Sequence, residues 1–146
     1  MMKAVSKASE ALDALTEIRS NSGNMDTIGL NDETIAKFCH SDEKLFQAII
    51  EGLDNHRALR NSLGTDIMLT DEPELVAQLQ ADYVNFYAPA TVNPYIALAA
   101  RGPWIVTSHG AVVHDNGGYG MLGAGHGPSS IIAVSYTHLR AHETRP

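Results

Sequence analysis

Hydrophobic residues recur at helical spacing from the start of the chain. The pattern predicts an amphipathic helix over residues 3–20, whose apolar face carries Val5, Ala8, Leu12, Leu15 and Ile18. Asn21-Ser22-Gly23 follows directly and is typical of a helix stop.

Three further helix starts follow. Asn31 precedes two acidic residues, as an N-cap does, and Ser41-Asp42-Glu43 repeats the pattern before a run containing Leu45, Phe46, Ile49 and Ile50. A separate short helix is predicted over residues 54–62, with Gly64 as its end. Thr70-Asp71-Glu72-Pro73 is the last start, because proline is tolerated in a first helical turn. This helix is predicted to carry Leu75, Val76, Leu79 and Tyr83.

The pattern changes near residue 90. Pro89 and Pro94 interrupt regular structure, and eight of the twelve glycines lie between Gly102 and Gly127. The β-branched runs Trp104–Ser108 and Ala111–His114, separated by His109-Gly110, predict a small hairpin. The chain therefore divides into a helical N-terminal extension (1–90), a β/loop segment (91–133) and a tail (134–146).

Composition narrows the classes of function. The net charge of -7 opposes binding to a phosphate backbone, so no nucleic-acid partner is expected. One cysteine and the absence of a basic, apolar leader predict neither disulfides nor a signal peptide, and therefore a cytoplasmic protein. No apolar run approaches the ~18 residues of a membrane span, so no membrane association is expected.

Gly118-Tyr-Gly120-Met-Leu-Gly123 has the GxGxxG spacing of a dinucleotide-binding loop. Such a loop must open a long helix, whereas Ala-Gly-His-Gly-Pro follows Gly123. The context favours a flexible, close-packed glycine loop over a nucleotide site.

The remaining candidates for chemistry have ordinary structural explanations. The spacing of His109, His114 and His126 matches no standard zinc site, so surface or turn histidines are expected and no metal is predicted. Cys39 and His40 point about 100° apart on a helix, which favours a buried cysteine over a nucleophile and its base. The same argument, with the absence of a Gly-x-Ser-x-Gly elbow, applies to Ser108 and His109.

A longer pattern covers about forty residues of the β/loop segment. Arg101-Gly102, Gly110-Ala-Val-Val-His-Asp115-Asn-Gly117, Tyr119 and Gly125-His126-Gly-Pro128 together resemble the N-terminal region of class III aminotransferases. These enzymes include the ornithine, 4-aminobutyrate and lysine 6-aminotransferases. The stretch after Tyr119 is shorter than in the family, and one residue instead of two separates the histidine from the proline. The amino donor therefore stays open.

The resemblance implies a fold-type I α/β enzyme that uses pyridoxal 5'-phosphate and forms a homodimer. It would transfer an amino group, typically the terminal amino group of a donor such as lysine, to a 2-oxo acid. This chain would hold only the helical extension and the short hairpin segment, truncated before the large cofactor-binding domain. The fragment alone would be inactive and would expose the apolar hairpin around Trp104. Its glycines would allow close backbone approach.

No catalytic or cofactor-binding residue is assigned in this chain. The Schiff-base lysine is expected elsewhere, because the four lysines present lie on predicted helices of the extension. The resemblance suggests that five residues lie near the substrate pocket or dimer interface, with ordinary packing as the alternative: Asn93, Tyr95, Tyr119, Met121 and His126.

The tail raises a separate expectation. Residues 134–144, VSYTHLRAHET, resemble a translated frame of a transposon-type sequencing adapter, so residues 134–146 are expected to be read-through. An alternative from another class is a small acidic helical interaction module without catalysis, whose glycine-rich end is a tail.

Overall fold

The computed structural model describes residues 6–82, 94–115, 125–129 and 131–134. These residues form a mixed α and β structure with five helices before residue 81, one three-stranded sheet, and further helical residues at 131–134. The helices are α1 (Lys7–Ser20), α2 (Asp32–Cys39), α3 (Glu43–Leu63), α4 (Thr65–Met68) and α5 (Glu72–Gln80). The strands are β1 (Ala97–Arg101), β2 (Trp104–Thr107) and β3 (Val112–His114). No helix of the described residues is long and apolar enough to cross a membrane.

The predicted helix starts at Asn31 and Asp42 are confirmed. The Asn31 side chain accepts a hydrogen bond from the Thr34 amide at 2.8 Å, and Asp42 Oδ1 accepts one from the Lys44 amide at 2.9 Å. Each bond satisfies an amide that has no partner within its own helix. The helix α5 also begins where Pro73 predicted it, with proline in the first turn.

The predicted break between residues 50 and 54 is wrong, because α3 runs unbroken for 21 residues. No residue in this stretch stops a helix except Gly52, and that glycine lies buried against the sheet. A Cβ at position 52 would lie 3.0 Å from Val106 Cγ1. The glycine therefore lets α3 approach the sheet closely and does not end the helix.

The sheet is antiparallel in the order β1-β2-β3, and it confirms the predicted hairpin between β2 and β3. The structure adds β1, where the sequence predicted irregular chain. Its residues, ALAAR, carry no β-branched side chain. They form a strand because the turn at Gly102 returns the chain onto β2, pairing Arg101 with Trp104 and Ala100 with Ile105.

The helices α1, α2 and α3 share one hydrophobic core with the sheet. Trp104 lies within it, with 3% of its surface exposed. Its indole N–H donates to Asp42 at 2.7 Å, and the Phe38 ring lies 5.5 Å away. The expectation that the hairpin around Trp104 would be exposed in this chain is therefore wrong, because the N-terminal helices cover it.

Candidate functional site

Three segments of the family-like pattern meet beside the turn between β1 and β2. Gly102 and His126 form an isolated antiparallel bridge, in which each backbone N–H donates to the other residue's carbonyl at 2.9 and 2.8 Å. The Asp115 amide donates to the Pro103 carbonyl at 2.7 Å. We call Gly102, Asp115, Gly125 and His126 the motif junction.

Glycine is required at the motif junction because two backbones touch. A Cβ on Gly125 would lie 2.8 Å from Gly102 Cα, and Gly125 has a φ of 69°. Gly102 also has a positive φ, of 57°, at the first position of the two-residue turn. At these positions the glycines permit close backbone approach, as the resemblance implies.

The side chains of the motif junction form a histidine–carboxylate pair. His126 Nε2 lies 3.0 Å from Asp115 Oδ2, with 40% of the histidine side chain and 25% of the aspartate side chain exposed. Asp115 orients the imidazole, and the pair ties residues 125–127 to the end of β3.

Of the five proposed pocket or interface residues, two lie in the described part of the chain. His126 belongs to the motif junction, and Tyr95 is half-buried just before β1. Asn93, Tyr119 and Met121 lie outside the described residues, as do Gly118, Gly120 and Gly123 of the GxGxxG spacing. Their predicted roles stay predictions.

A second polar cluster, which the sequence did not predict, lies buried at the other end of the sheet. We call Ser22, His56, Ser108 and His109 the buried polar junction. Ser22 Oγ lies 3.0 Å from His56 Nε2, and Ser108 Oγ lies 2.9 Å from His109 Nδ1. Ser22 Oγ also lies 3.1 Å from the Ser108 carbonyl, which joins the two pairs. His109 Nε2 reaches the Thr70 carbonyl at 2.9 Å.

One expectation is met in part and another is corrected at the buried polar junction. His109 was expected on the surface or in a turn, and it lies in the turn after β2 with only 1% of it exposed. Ser108 and His109 were expected to point apart, yet their side chains touch because they leave β2 in the turn before Gly110 and not on a helix. Their burial leaves no room for a substrate, so the contact is structural.

The hydrogen-bond pattern of the junction assigns its protons. Ser22 has one hydroxyl proton, which it donates to the Ile18 carbonyl at 2.9 Å or to that of Ser108. Ser22 must then accept from His56 Nε2–H, which places a proton on that ring nitrogen. Burial lowers the pKa of His56, and the Arg60 charge lowers it further.

The start of α5 is tied to the loop after α1 by what we call the polar clamp, formed by residues 23–27 with Asp71 and Glu72. Fully buried Glu72 accepts backbone N–H bonds from Asp26 and Thr27 through Oε2, at 2.8 and 2.7 Å, while its Oε1 has no partner in the structure. Asp71 accepts from the Asn24 amide at 2.8 Å, and hydrogen bonds from Asn24 lower the pKa of Asp71.

The other candidates occupy separate places. Among the described residues, no group of three His, Cys, Asp or Glu side chains is placed to hold a metal ion. His114 lies against the Trp104 ring, with centroids 4.7 Å apart, and so belongs to neither junction. Cys39 is buried, and burial raises the pKa of its thiol, which makes it unreactive.

The described residues do not fit a pyridoxal phosphate site. Lys7, Lys37 and Lys44 are exposed on helices, and Lys7 pairs with Glu43, whereas a Schiff-base lysine should be desolvated. An open groove of about 460 Å³ runs along α3, but no lysine lines it. Its Arg101 is paired with Glu51 at 2.8 Å.

Comparison with known proteins adds no assignment. No protein-family model, curated protein or solved structure matches the chain. The contacts described above, with the sequence pattern, therefore carry the functional argument.

The close approach at the motif junction gives a first prediction. Gly125→Ala should separate Gly102 from His126, because the added Cβ cannot fit beside Gly102 Cα and positive φ adds about 1–2 kcal/mol of strain. Hydrogen exchange of the Gly102 and His126 amides should accelerate. Gly127→Ala is the matched control: its φ of 57° gives similar strain, but the nearest atom lies 3.5 Å from the added Cβ. Equal acceleration in both variants would contradict a steric role for Gly125.

Proposed function

We propose that the chain is the N-terminal part of a pyridoxal-phosphate-dependent class III aminotransferase. The complete enzyme would transfer an amino group, a terminal one of an ω-amino acid such as lysine, to a 2-oxo acid. It would act in the cytoplasm as a homodimer of fold-type I architecture, with its catalytic lysine outside the residues present here.

The motif junction is the observation that supports this proposal. Its residues come from three stretches of the family-like pattern: Arg101-Gly102, the run ending at Asp115, and Gly125-His126. These stretches are separated in sequence but touch in space, and two of the contacts depend on residue types that occur in the pattern. Glycine allows the backbones to meet, and the carboxylate pairs with the imidazole.

Within such an enzyme this part of the chain would have a positioning role. The described residues hold no cofactor pocket, so no step of the reaction is assigned to them. The motif junction instead brings together Asp115 and Gly125, which flank residues 116–124 in the sequence, at one end of the sheet. In the proposed enzyme, Tyr119 and Met121 would contribute to the substrate pocket or the dimer interface.

A second candidate is favoured by the closed hydrophobic core. Because α1–α3 cover the sheet, the main hydrophobic cluster of the described residues is buried between these elements. This is what a small acidic interaction module would need. Such a module would resist proteolysis as an isolated chain and would bind its partner without any cofactor.

The source DNA separates the two candidates. We expect the reading frame, sequenced downstream from the Gly125 codon, to continue beyond Ala133 into a large domain with a phosphate-binding loop, an acidic residue and a lysine. The enzyme expressed from that frame should show the spectrum of lysine-bound pyridoxal phosphate, and a Lys→Ala variant should lose it. The present 146-residue chain, mixed with the cofactor, should show no such spectrum. A gene that ends at Pro146 would contradict the proposal and favour the interaction module.

A further inference from the structure

Polar contacts and a few buried apolar side chains attach α5 and its neighbour α4 to the rest of the molecule. Met68, Leu75 and Val76 are buried, but none of them belongs to the main hydrophobic cluster, which is built from α1, α2, α3 and the sheet. Besides the polar clamp, α5 is held by its neighbour Thr70, whose carbonyl meets His109. Gly23 donates its amide to the Met68 carbonyl at 3.1 Å, which extends the same contact to α4.

The polar clamp rests directly on the buried polar junction. Ser22 precedes the clamp segment and contacts His56, while His109 holds Thr70 beside Asp71. A disturbance of His56 therefore reaches both parts of the polar clamp. It reaches residues 23–27 through Ser22, and it reaches Asp71 through Ser22, Ser108 and His109. The clamp lies outside the main hydrophobic cluster, so it should open before that cluster does.

We propose that His56 is a proton-sensitive switch for the polar clamp: its protonation releases residues 22–27 and α5 from the end of the sheet, while α1–α3 and the sheet remain folded. This inference does not depend on the proposed aminotransferase function.

The groups that face His56 come from three elements. Arg60 on α3 and His109 after β2 oppose a positive charge on His56, whereas Glu17 on α1 favours it. Glu17 is held by two bonds of 2.6 Å from Arg57, so its charge is already compensated. The burial of the ring and the positive charges near it together disfavour protonation of His56 in the closed state.

The sign of the pH effect follows. The pKa of His56 is lowered in the closed state, so the open state binds more protons as the pH falls below the ordinary histidine value of about 6.5. The closed polar clamp is therefore fully stable above about pH 6.5, and it loses stability as the pH falls towards the lowered pKa of His56. A displaced His56 also leaves Ser22 without its donor, which loosens the start of the clamp segment.

Hydrogen exchange of the full 146-residue chain, at about pH 7.5 and about pH 5.5 and corrected for the intrinsic rates, tests the proposal. We expect protection factors of amides in α5 to fall at the lower pH, by up to about tenfold, while those in α3 change by less than about twofold. An equal loss in α3 and α5, or no loss in α5, would overturn the proposal.

His56→Gln supplies the specific test, because glutamine keeps an N–H donor but does not titrate. The pH dependence of α5 protection should disappear in this variant and persist in the control His40→Gln, whose histidine is exposed at the end of α2. Persistence in His56→Gln would overturn the proposal. Should that variant fail to fold, an NMR titration of the His56 ring in the unchanged chain decides: its midpoint must coincide with the loss of α5 protection, and separate midpoints would refute the switch.

Discussion

Ile49→Ala is expected to lower the free energy of unfolding by about 2–5 kcal/mol. Ile49 is fully buried at the centre of α3, within the cluster shared with α1, α2 and the sheet. Truncation removes the transfer free energy of three carbons and leaves a cavity that the packed neighbours cannot fill. Urea unfolding followed by the fluorescence of Trp104, the single tryptophan of the chain, measures the loss.

Ile28→Ala is the matched control for this prediction. It removes the same atoms, but Ile28 is 96% exposed, so its effect should stay within about 0.5 kcal/mol. Similar losses in the two variants would mean that α3 does not pack as described.

Gly52→Val should cost about 1–3 kcal/mol, because it forces α3 away from the sheet. The new Cβ would lie 3.0 Å from Val106 Cγ1, and its two methyl groups would need further space. Valine is intrinsically a better helix former than glycine, so a net loss can only come from packing. The same urea experiment gives the value.

Ala58→Val, at an exposed position of the same helix, is the control. It measures the small propensity cost of valine without any contact to the sheet. A Gly52→Val protein as stable as the parent chain would disprove the close packing of α3 on β2. Such a result would also remove the reason for an unbroken helix through position 52.

The two junctions suggest a division of roles within the chain. The motif junction is partly exposed and holds the ends of the glycine-rich run, which is the part that the family-like pattern connects with substrate or partner contact. Three of the four residues of the buried polar junction, His56, Ser108 and His109, are buried, and the junction joins the end of α1, α3, the sheet and the residue before α5. Variants of the motif junction should therefore affect function more than stability. Variants of the buried polar junction should affect stability more than function.

Local signals in the sequence determined most of the secondary structure. The caps at Asn31 and Asp42, the proline at the start of α5 and the β-branched runs on either side of His109-Gly110 each act through contacts within a few residues. Such contacts form in the same way whatever the rest of the chain does, so the pattern alone was sufficient. The burial of Cys39 followed from the same helical periodicity.

Tertiary structure decided the rest. β1 exists because β2 lies beside it, and Gly52 stays within α3 because the sheet leaves no space for a side chain there. The buried polar junction joins residues 34 and 86 positions apart, which no spacing in the sequence could indicate. Periodicity records which face of an element is apolar, but not which distant element covers it. The helices that cover Trp104 and the partners of His56 and His109 therefore became apparent only from the folded chain.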